Sequence, residues 1–451
     1  MRLQLKSSAF LIVALILFTI VNPLASLDIL AFLIIAFAIL YKIFGDYIVL
    51  VFLALRPMVD YWRDVTIFSN SFFTFNINAG LSLILFLWSA YFLLTHYQYW
   101  KNLPLKLLWG AFLVWCALSL VYSYDHSATI TETLKATNLF TLFAAAFVLQ
   151  KKYGAAAERY FWYAILGGAA VPLLFALYQL LSGTGLTIDN VPNRIYGTFA
   201  HPNILATYAL LLFMVLTHEV IIKKNRWIAE HRELTVALVA VLLATIAFTY
   251  TRIAWIGLAF FLLAIGLLFY RRLALYALSG TIILYLLFFP LNNFLKIYFN
   301  YNLQSIHIVS RLTARNEEAD SIKWRADVFN KIIPLWLHRP VIGYGYGSFP
   351  KLWNDNKGVQ NIWDSTSEAH NDYLKVGFEV GIIGLILFAG IFMLLFAKQV
   401  RYGLTHHWKN AIFVTSIAVY LILSLSDNML HHTPVIWWLW ALWGKWSAEQ
   451  T

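Results

Sequence analysis

The sequence predicts an all-α polytopic membrane protein. Of its 451 residues, 61% are hydrophobic and only 12% are charged, whereas about 25% of the residues of a typical soluble domain are charged. The mean hydropathy is +0.69, and the apolar residues occur in runs long enough to cross a bilayer as helices. These properties exclude an ordinary soluble domain.

The apolar runs predict 12–14 transmembrane helices. A bilayer-crossing helix needs roughly 20 apolar residues, with about 17 as a lower limit, and the third and last runs are short. The runs lie near residues 8–24, 27–45, 47–59, 79–95, 105–124, 130–150, 159–181, 201–222, 233–250, 253–271, 273–290, 372–397, 410–428 and 432–446. The first run resembles a secretory signal, but a second run follows at once without a convincing cleavage site. We therefore interpret it as the first span.

The net charge of +11 indicates topology and not a nucleic-acid partner. The basic residues cluster in short tracts between apolar runs, as they do in the cytoplasmic loops of membrane proteins. When fourteen spans alternate from a cytoplasmic N-terminus, every strongly basic short loop lies on one side. Both termini are therefore predicted to be cytoplasmic, and the long polar loop between the last spans is predicted to be extracytoplasmic.

Three parts follow from this topology. Residues 1–290 form an N-terminal transmembrane bundle of about eleven spans, residues 291–371 form the large loop, and residues 372–451 contribute two or three C-terminal spans. Within the loop, residues 316–337 predict an amphipathic helix, because apolar residues recur at helical spacing and Pro340 ends the run. The stripe consists of Ile322, Ala326, Phe329, Ile333 and Trp336, and Arg325 lies near its edge. The single cysteine, Cys116, lies in an apolar run and excludes an internal disulfide.

Three arginines on the predicted outer side indicate an anionic ligand. Arg194, Arg252 and Arg325 come from three separate segments that the topology places on one face. A single arginine at a membrane boundary has a plain structural explanation, because its side chain extends to the lipid headgroups. Three together favour phosphate, because guanidinium groups bind phosphate through two hydrogen bonds and stay charged at any working pH.

His370 is the candidate general base. It precedes a span directly after the long loop, and imidazole is the side chain best suited to remove a proton near neutral pH, although a lone histidine is more often structural. The helix that follows carries Asp372, Lys375 and Glu379 on one face, and we favour a Lys375–Glu379 ion pair. His201, Asn371 and Lys375 complete the predicted substrate-binding residues, with the three arginines.

A metal site is an alternative use of the outer histidines. His201, Asp427, His431 and His432 fall on the predicted outer side, but no HxxxH or DxD spacing supports coordination. We expect no metal and no other cofactor. Arg56-Pro-Met-Val-Asp60 has the spacing of an intrahelical ion pair.

Several motifs in order resemble the O-antigen ligase and polymerase family of bacterial envelope glycosyltransferases. They are Arg-x-x-Gly-Thr-Phe-x-x-Pro-Asn at 194–203, Thr-Arg at 251–252, Trp-Arg at 324–325, Gly-Tyr-Gly-Tyr-Gly at 343–347, His-Asn-Asp-Tyr-Leu at 370–374 and Gly-Ile-Ile-Gly at 381–384. The resemblance covers the chain from about Arg194 onward. Thr251 replaces a serine that is frequent before the arginine of the family.

The resemblance implies a fold and a reaction. The fold would be that of the GT-C-type membrane glycosyltransferases, and the donor would be an undecaprenyl-diphosphate-linked glycan. Arg252 and Arg325 would bind its diphosphate and His370 would deprotonate the acceptor hydroxyl, with Arg194 as a further basic position. The reaction would be inverting, would use neither metal nor nucleotide sugar, and would take place at the bacterial cytoplasmic (inner) membrane on the side of the large loop, which would be periplasmic.

The sequence does not determine the acceptor or the class of function. An O-antigen ligase uses lipid A core as acceptor, whereas a polymerase extends the glycan and a protein O-oligosaccharyltransferase modifies a protein. The partners are in each case the donor, the acceptor and membrane lipids, with no nucleic acid. A transporter for lipid-linked saccharides would use the same basic residues without chemistry. A metal-dependent hydrolase built on His201, His370, His431 and His432 would be inhibited by a chelator.

Overall fold

The computed structural model describes residues 37–69, 74–188, 191–300, 321–356 and 368–450. Helices dominate these residues, and we label them in chain order. The first eight are α1 Ile48–Val59, α2 Ile77–Thr95, α3 Tyr97–Trp100, α4 Lys106–Leu118, α5 His126–Tyr153, α6 Ala155–Ser182, α7 Pro202–Thr217 and α8 Arg226–Glu230. The others are α9 Arg232–Phe248, α10 Arg252–Phe269, α11 Arg271–Phe299, α12 Ser321–His338, α13 Phe349–Asn356, α14 Asp372–Thr405, α15 Ala411–Leu423 and α16 Thr433–Glu449.

Two small hairpins are the β structure of the described residues. Strands β1 Thr66–Ser69 and β2 Thr74–Asn76 pair antiparallel, as do β3 Leu186–Ile188 and β4 Val191–Arg194. Both lie between long helices, and the second carries Arg194 into the segment before α7. The prediction of an all-α polytopic membrane protein is confirmed.

The described residues contain eight helical segments that are long and apolar enough to cross a membrane, and two shorter apolar helices, Lys106–Tyr122 and Ala411–Leu423. With α9 and α16, a helix lies on every predicted span from the second onward. The first predicted span, near 8–24, lies outside the described residues. The predicted total of 12–14 spans therefore stays a prediction.

The described end of the second predicted span, residues 37–44, turns back sharply into the third. Helical residues 37–44 run into a short 3₁₀ turn, Gly45–Tyr47, before α1, and Gly45 has a φ of +54°. The rings of Phe37 and Phe52 stack with centroids 6.1 Å apart. In one straight helix fifteen residues rise about 22 Å, so the chain reverses direction at Gly45.

Helix α16 is the centre of the bundle. All residues from Pro434 to Ala448 are buried, and a helix that is buried on every side belongs to a protein core. It packs closely against α5, where a Cβ on Gly444 would lie 2.0 Å from the Phe143 carbonyl oxygen. Five tryptophans fill the space around it: Trp437, Trp438, Trp440, Trp443 and Trp446. The last predicted span, one of the two short ones, is thus an interior helix.

Helix α14 is broken at Gly381, which has φ +67° and ψ −173°. The glycine-rich segment 340–347 lies against the break. Gly345 donates its backbone N–H to the Glu379 carbonyl at 2.7 Å, and Ile382 donates to the Pro340 carbonyl at 2.9 Å. The indole of Trp115 donates to the Val380 carbonyl at 2.9 Å. The segment and the indole therefore satisfy backbone groups that the missing turn leaves without helical partners.

The polar and the basic segments separate to opposite ends of the bundle. Segments 119–125, 191–203, 249–252, 339–349, 368–372 and 424–433 meet at one end, which we call the site end. At the other end Lys152 contacts Asp46 at 2.7 Å, and Lys223 contacts Glu158 and Glu449 at 2.9 and 3.2 Å. The described segments that the topology places on the outer side thus share one end of the bundle, and the side of the membrane that this end faces stays a prediction.

Two predicted boundaries differ from the structure. Helix α11 continues nine residues past the predicted boundary at 290, to Phe299, because Pro290 is accommodated within the helix. The run predicted near 410–428 stops being helical after Leu423, and Ser424 to His432 form a connection between α15 and α16. The predicted amphipathic helix at 316–337 is observed as α12, Ser321–His338, and residues 316–320 lie outside the described residues.

Candidate functional site

Arg194 is buried at the site end and holds the turn before α10. Its exposed fraction is 2%. The Nε atom donates to the Thr249 carbonyl at 2.8 Å, and Nη2 lies 3.3 Å from both Asn203 Oδ1 and Thr251 Oγ1. These contacts, made through two nitrogens, fix the position of the Thr249–Thr251 turn. They give Arg194 a structural role, and its predicted contact with substrate stays a prediction.

Arg252 is the first residue of α10 and is half-buried. The turn before it contains Tyr250 in the left-handed region, with φ +52°, so the chain enters the helix through a sharp bend. The N-terminus of a helix presents backbone N–H groups and positive potential. A guanidinium group at this position adds a full positive charge, and the arrangement suits an anion.

His201 and Asn203 begin α7. The His201 side chain caps this helix, because its Nδ1 accepts the backbone N–H of Asn203 at 3.1 Å. Pro202 occupies the first turn, where a missing N–H costs little. The Asn203 side chain then donates from Nδ2 to Asp427 Oδ2 at 3.0 Å. His201 thus acts as a helix cap, and its predicted contact with the glycan stays a prediction.

His370 faces a buried carboxylate. Its Nδ1 lies 3.8 Å from Asp427 Oδ1, and the Nε2 of His432 lies 3.7 Å from the same oxygen. Both distances are ion-pair contacts and are longer than hydrogen bonds. The backbone of His370 has φ +47°, which costs energy in a residue with a side chain. This bend aims the imidazole at the connection 424–432.

The pKa of Asp427 depends on the two nearby histidines. Burial raises the pKa of Asp427, but the nearby His432 and His370 and the backbone N–H of Asn428 outweigh it, so that its pKa lies below the ordinary value. Burial lowers the pKa of His432, although Asp427 opposes that shift. The carboxylate therefore stays ionised and can orient the His370 ring, as a carboxylate does for a catalytic imidazole.

Asn371 and Lys375 make structural contacts in the first turns of α14. Asn371 caps the helix, because its Oδ1 accepts the Leu374 N–H at 2.9 Å, and its Nδ2 donates to the Leu425 carbonyl at 3.0 Å. Lys375 contacts Glu379 at 2.5 Å, and both are buried. The predicted Lys375–Glu379 ion pair is confirmed. The substrate-binding roles predicted for Asn371 and Lys375 stay predictions.

Arg325 lies in the second turn of α12, the helix that packs over the start of α14. Val328 and Ile332 of this helix are buried with Ala369 and Phe378 in a small apolar cluster. Arg325 precedes Val328 by three residues, so it shares that face, and Ala369 precedes His370. The helix therefore carries Arg325 towards the segment of His370.

A second set of charged side chains lies next to the segment of His370. The Nδ1 of His431 lies 3.3 Å from Glu368 Oε1, and its Nε2 lies 3.9 Å from Glu132 Oε2. Glu132 also contacts Lys135 at 2.6 Å. The His431 ring thus connects helix α5 to the segment just before His370. This contact restrains the segment that positions the candidate base.

Among the described residues, no group of three or more His, Cys, Asp or Glu side chains has a geometry that could hold a metal ion. His370 and His432 face Asp427, His431 lies between Glu368 and Glu132, and His201 caps α7. His370 and His432 thus share one carboxylate, whereas His431 and His201 make other contacts, and the hydrolase alternative stays a prediction.

Several residues that make these contacts lie in the sequence motifs, but the motifs do not predict the contacts themselves. Asn203 belongs to the motif at 194–203, and the sequence presents Asp427 only as a possible metal ligand. The predicted intrahelical pair Arg56–Asp60 is confirmed at 2.8 Å, and Arg56 also donates to Thr433 Oγ1 at 2.5 Å, next to His432. A carboxylate at the end of an apolar run indicates a residue with an interior or functional partner. Asp427 has this placement in the sequence.

Comparison with known proteins identifies a family match. A family model described as O-antigen ligase matches residues 237–389, a range that includes Arg252, Arg325 and His370. A protein of Rickettsia felis, provisionally named a polysaccharide ligase, is 29% identical over 106 residues, which are 22% of this chain and 25% of that protein. The chain thus spans about a quarter of the curated relative that it matches. The resemblance to the family is confirmed by the match at 237–389.

Proposed function

We propose that this chain, whose residues 237–389 carry an O-antigen ligase domain, transfers a glycan from an undecaprenyl-diphosphate carrier to an acceptor hydroxyl. The acceptor we favour is lipid A core, as in an O-antigen ligase. Glycan polymerisation and O-glycosylation of a protein are the alternatives within the family. The transfer takes place at the site end, which we place on the outer side of the cytoplasmic membrane.

The arrangement of His370 carries this proposal. Its Nδ1 faces Asp427, and Asp427 is bonded to Asn203, which in turn contacts Thr251 next to Arg252. Polar contacts thus run from the base to Thr251, and Thr251 is the residue directly before the cation, Arg252. Because Nδ1 faces the carboxylate, Nε2 is the nitrogen available to accept a proton from the acceptor hydroxyl.

The reaction is a single displacement at the anomeric carbon. His370 removes the acceptor proton as the acceptor oxygen forms its bond to this carbon, and the bond from the carbon to the diphosphate oxygen breaks. Inversion follows from attack opposite the leaving group. Negative charge grows on the diphosphate in the transition state, so the guanidinium groups of Arg252 and Arg325 lower the barrier. A general base contributes about 10²- to 10⁴-fold in rate.

Reconstitution with defined substrates tests the function. The purified full chain in liposomes receives a lipid-diphosphate-linked glycan and lipid A core, and product is followed by gel mobility and mass. We expect His370→Ala and Arg325→Ala each to reduce transfer by at least about 10²-fold. His406→Ala and Arg272→Ala, at the opposite end, serve as matched controls and should retain activity. Full activity of His370→Ala or Arg325→Ala would remove the role proposed for that residue.

The broken helix α14 favours one competing function. Interrupted helices are frequent in transporters, and Gly381 interrupts α14 nine residues after Asp372. A transporter would move the lipid-linked glycan across the liposome membrane without forming a covalent product. The same reconstitution distinguishes the two, because an enzyme yields a glycan attached to the acceptor.

A further inference from the structure

The Asn203 side chain contacts two parts of the site end, which come from separate segments of the chain. Its Oδ1 accepts from Arg194 Nη2 at 3.3 Å and from Thr251 Oγ1 at 3.2 Å. Its Nδ2 donates to Asp427 Oδ2 at 3.0 Å. The other oxygen of Asp427 faces His370. One amide group therefore contacts the cation side and the base side at once.

The partners determine the orientation of the amide. Arg194 is a donor only, and the ionised carboxylate of Asp427 is an acceptor only. The oxygen of Asn203 must therefore face Arg194, and its nitrogen must face Asp427. An aspartate in this place would set two carboxylates about 3 Å apart, and an alanine would remove all three contacts. The position thus requires both a donor and an acceptor.

The backbone of Asn203 is itself held in place. The His201 ring accepts the Asn203 N–H at 3.1 Å, and Pro202 restricts the chain at the start of α7. Thr207 donates its hydroxyl to the Asn203 carbonyl at 3.0 Å. The amide is therefore attached to a rigid helix start and not to a loose loop, and a rigid support can fix the relative position of its partners.

We infer that Asn203 is a positioning residue, which holds the Thr251–Arg252 helix start and the Asp427–His370 pair in a fixed relative position. This rests on the proposed function, because only the transfer reaction requires the cation, which binds the donor, and the base, which activates the acceptor, to act together. Asn203 touches neither donor nor acceptor in this scheme. Its effect on the reaction passes through Thr251 on one side and through Asp427 on the other.

We expect variants on the cation side and on the base side of Asn203 to have different kinetic effects. Asn203→Asp keeps an acceptor for Arg194 and Thr251 but repels Asp427, so kcat should fall by about 10²-fold with donor KM within threefold of wild type. Thr251→Val removes the hydroxyl contact on the cation side, so donor KM should rise by about tenfold, and kcat should fall by less than about tenfold because Arg252 also stabilises the leaving diphosphate. This division between kcat and KM is not expected from general destabilisation.

A matched control separates positioning from folding. Asn410 is a buried asparagine that donates from Nδ2 to the Gln399 carbonyl at 2.7 Å, in the connection before α15 at the opposite end. Asn410→Asp makes the same chemical change away from the site, so it should lower Tm and leave both kinetic constants within twofold of wild type. If Asn203→Asp does not accumulate in membranes, Asn203→Ser is measured instead, with the same expected fall in kcat.

The outcomes distinguish the two proposals. If wild type transfers glycan and His370→Ala does not, but the Asn203 variant keeps kcat within threefold, the positioning role is wrong and the proposed function stands. Equal changes in kcat and donor KM for Asn203→Asp and Thr251→Val also overturn the inference. If wild type forms no covalent product from a lipid-diphosphate donor, the proposed function itself fails.

Discussion

The break in α14 at Gly381 predicts a large loss of stability for Gly381→Ala. A Cβ on this glycine would lie 2.0 Å from the Val341 carbonyl oxygen and 2.5 Å from the Ile342 nitrogen. Both are backbone atoms, so no flexible side chain can move away. The backbone angles, φ +67° and ψ −173°, belong to a region that is populated almost only by glycine.

The magnitude follows from two contributions. A residue with a side chain in this backbone region costs about 1–3 kcal/mol. Relief of the clash requires movement of segment 340–345, which weakens the hydrogen bonds from Ile382 to Pro340 and from Gly345 to Glu379 at about 1 kcal/mol each. The expected total is about 3–5 kcal/mol. With an unfolding entropy of about 2.1 cal/mol/K per residue, the expected fall in Tm is about 3–5 °C.

Thermal unfolding of the purified chain in detergent, followed by tryptophan fluorescence, measures this effect. Gly110→Ala is the matched control, because Gly110 lies in helix α4 and a Cβ there would meet nothing within 4 Å. Alanine in a helix interior is more favourable than glycine by about 1 kcal/mol, so the control should be unchanged or slightly more stable. Equal Tm values for the two variants would refute the account of segment 340–347 as the partner of the break.

Two further predictions concern buried charges at the site end. Asp60→Asn leaves Arg56 buried without its carboxylate at 2.8 Å, so Tm should fall by about 3–5 °C for a loss of about 3–5 kcal/mol; Asp64→Asn, in a pair whose Asp64 side chain is 85% exposed, should leave Tm unchanged, and equal effects would contradict the argument. Burial lowers the pKa of His432, so the unfolded chain binds its proton more readily, and stability should fall as pH drops below roughly 6.5. His432→Gln should flatten the dependence of Tm on pH between 7 and 5, and an unchanged slope would contradict this assignment.

The sequence alone determined the helical architecture and which segments share an end of the bundle. Apolar run length and the clustering of lysine and arginine depend on local composition, and both constraints act on each span separately. The pairing of Lys375 with Glu379 and of Arg56 with Asp60 also followed from sequence, because residues four apart on a helix are neighbours.

Only the tertiary structure decided how the site is assembled. Arg194, Asn203 and Asp427 meet although up to 233 residues separate them along the chain, and no local pattern encodes such a contact. It also showed that Gly381 interrupts α14 and that the last apolar run, which forms α16, lies at the centre of the bundle. Long-range packing determines which buried polar groups pair, because each buried polar group needs a hydrogen-bond partner inside the fold.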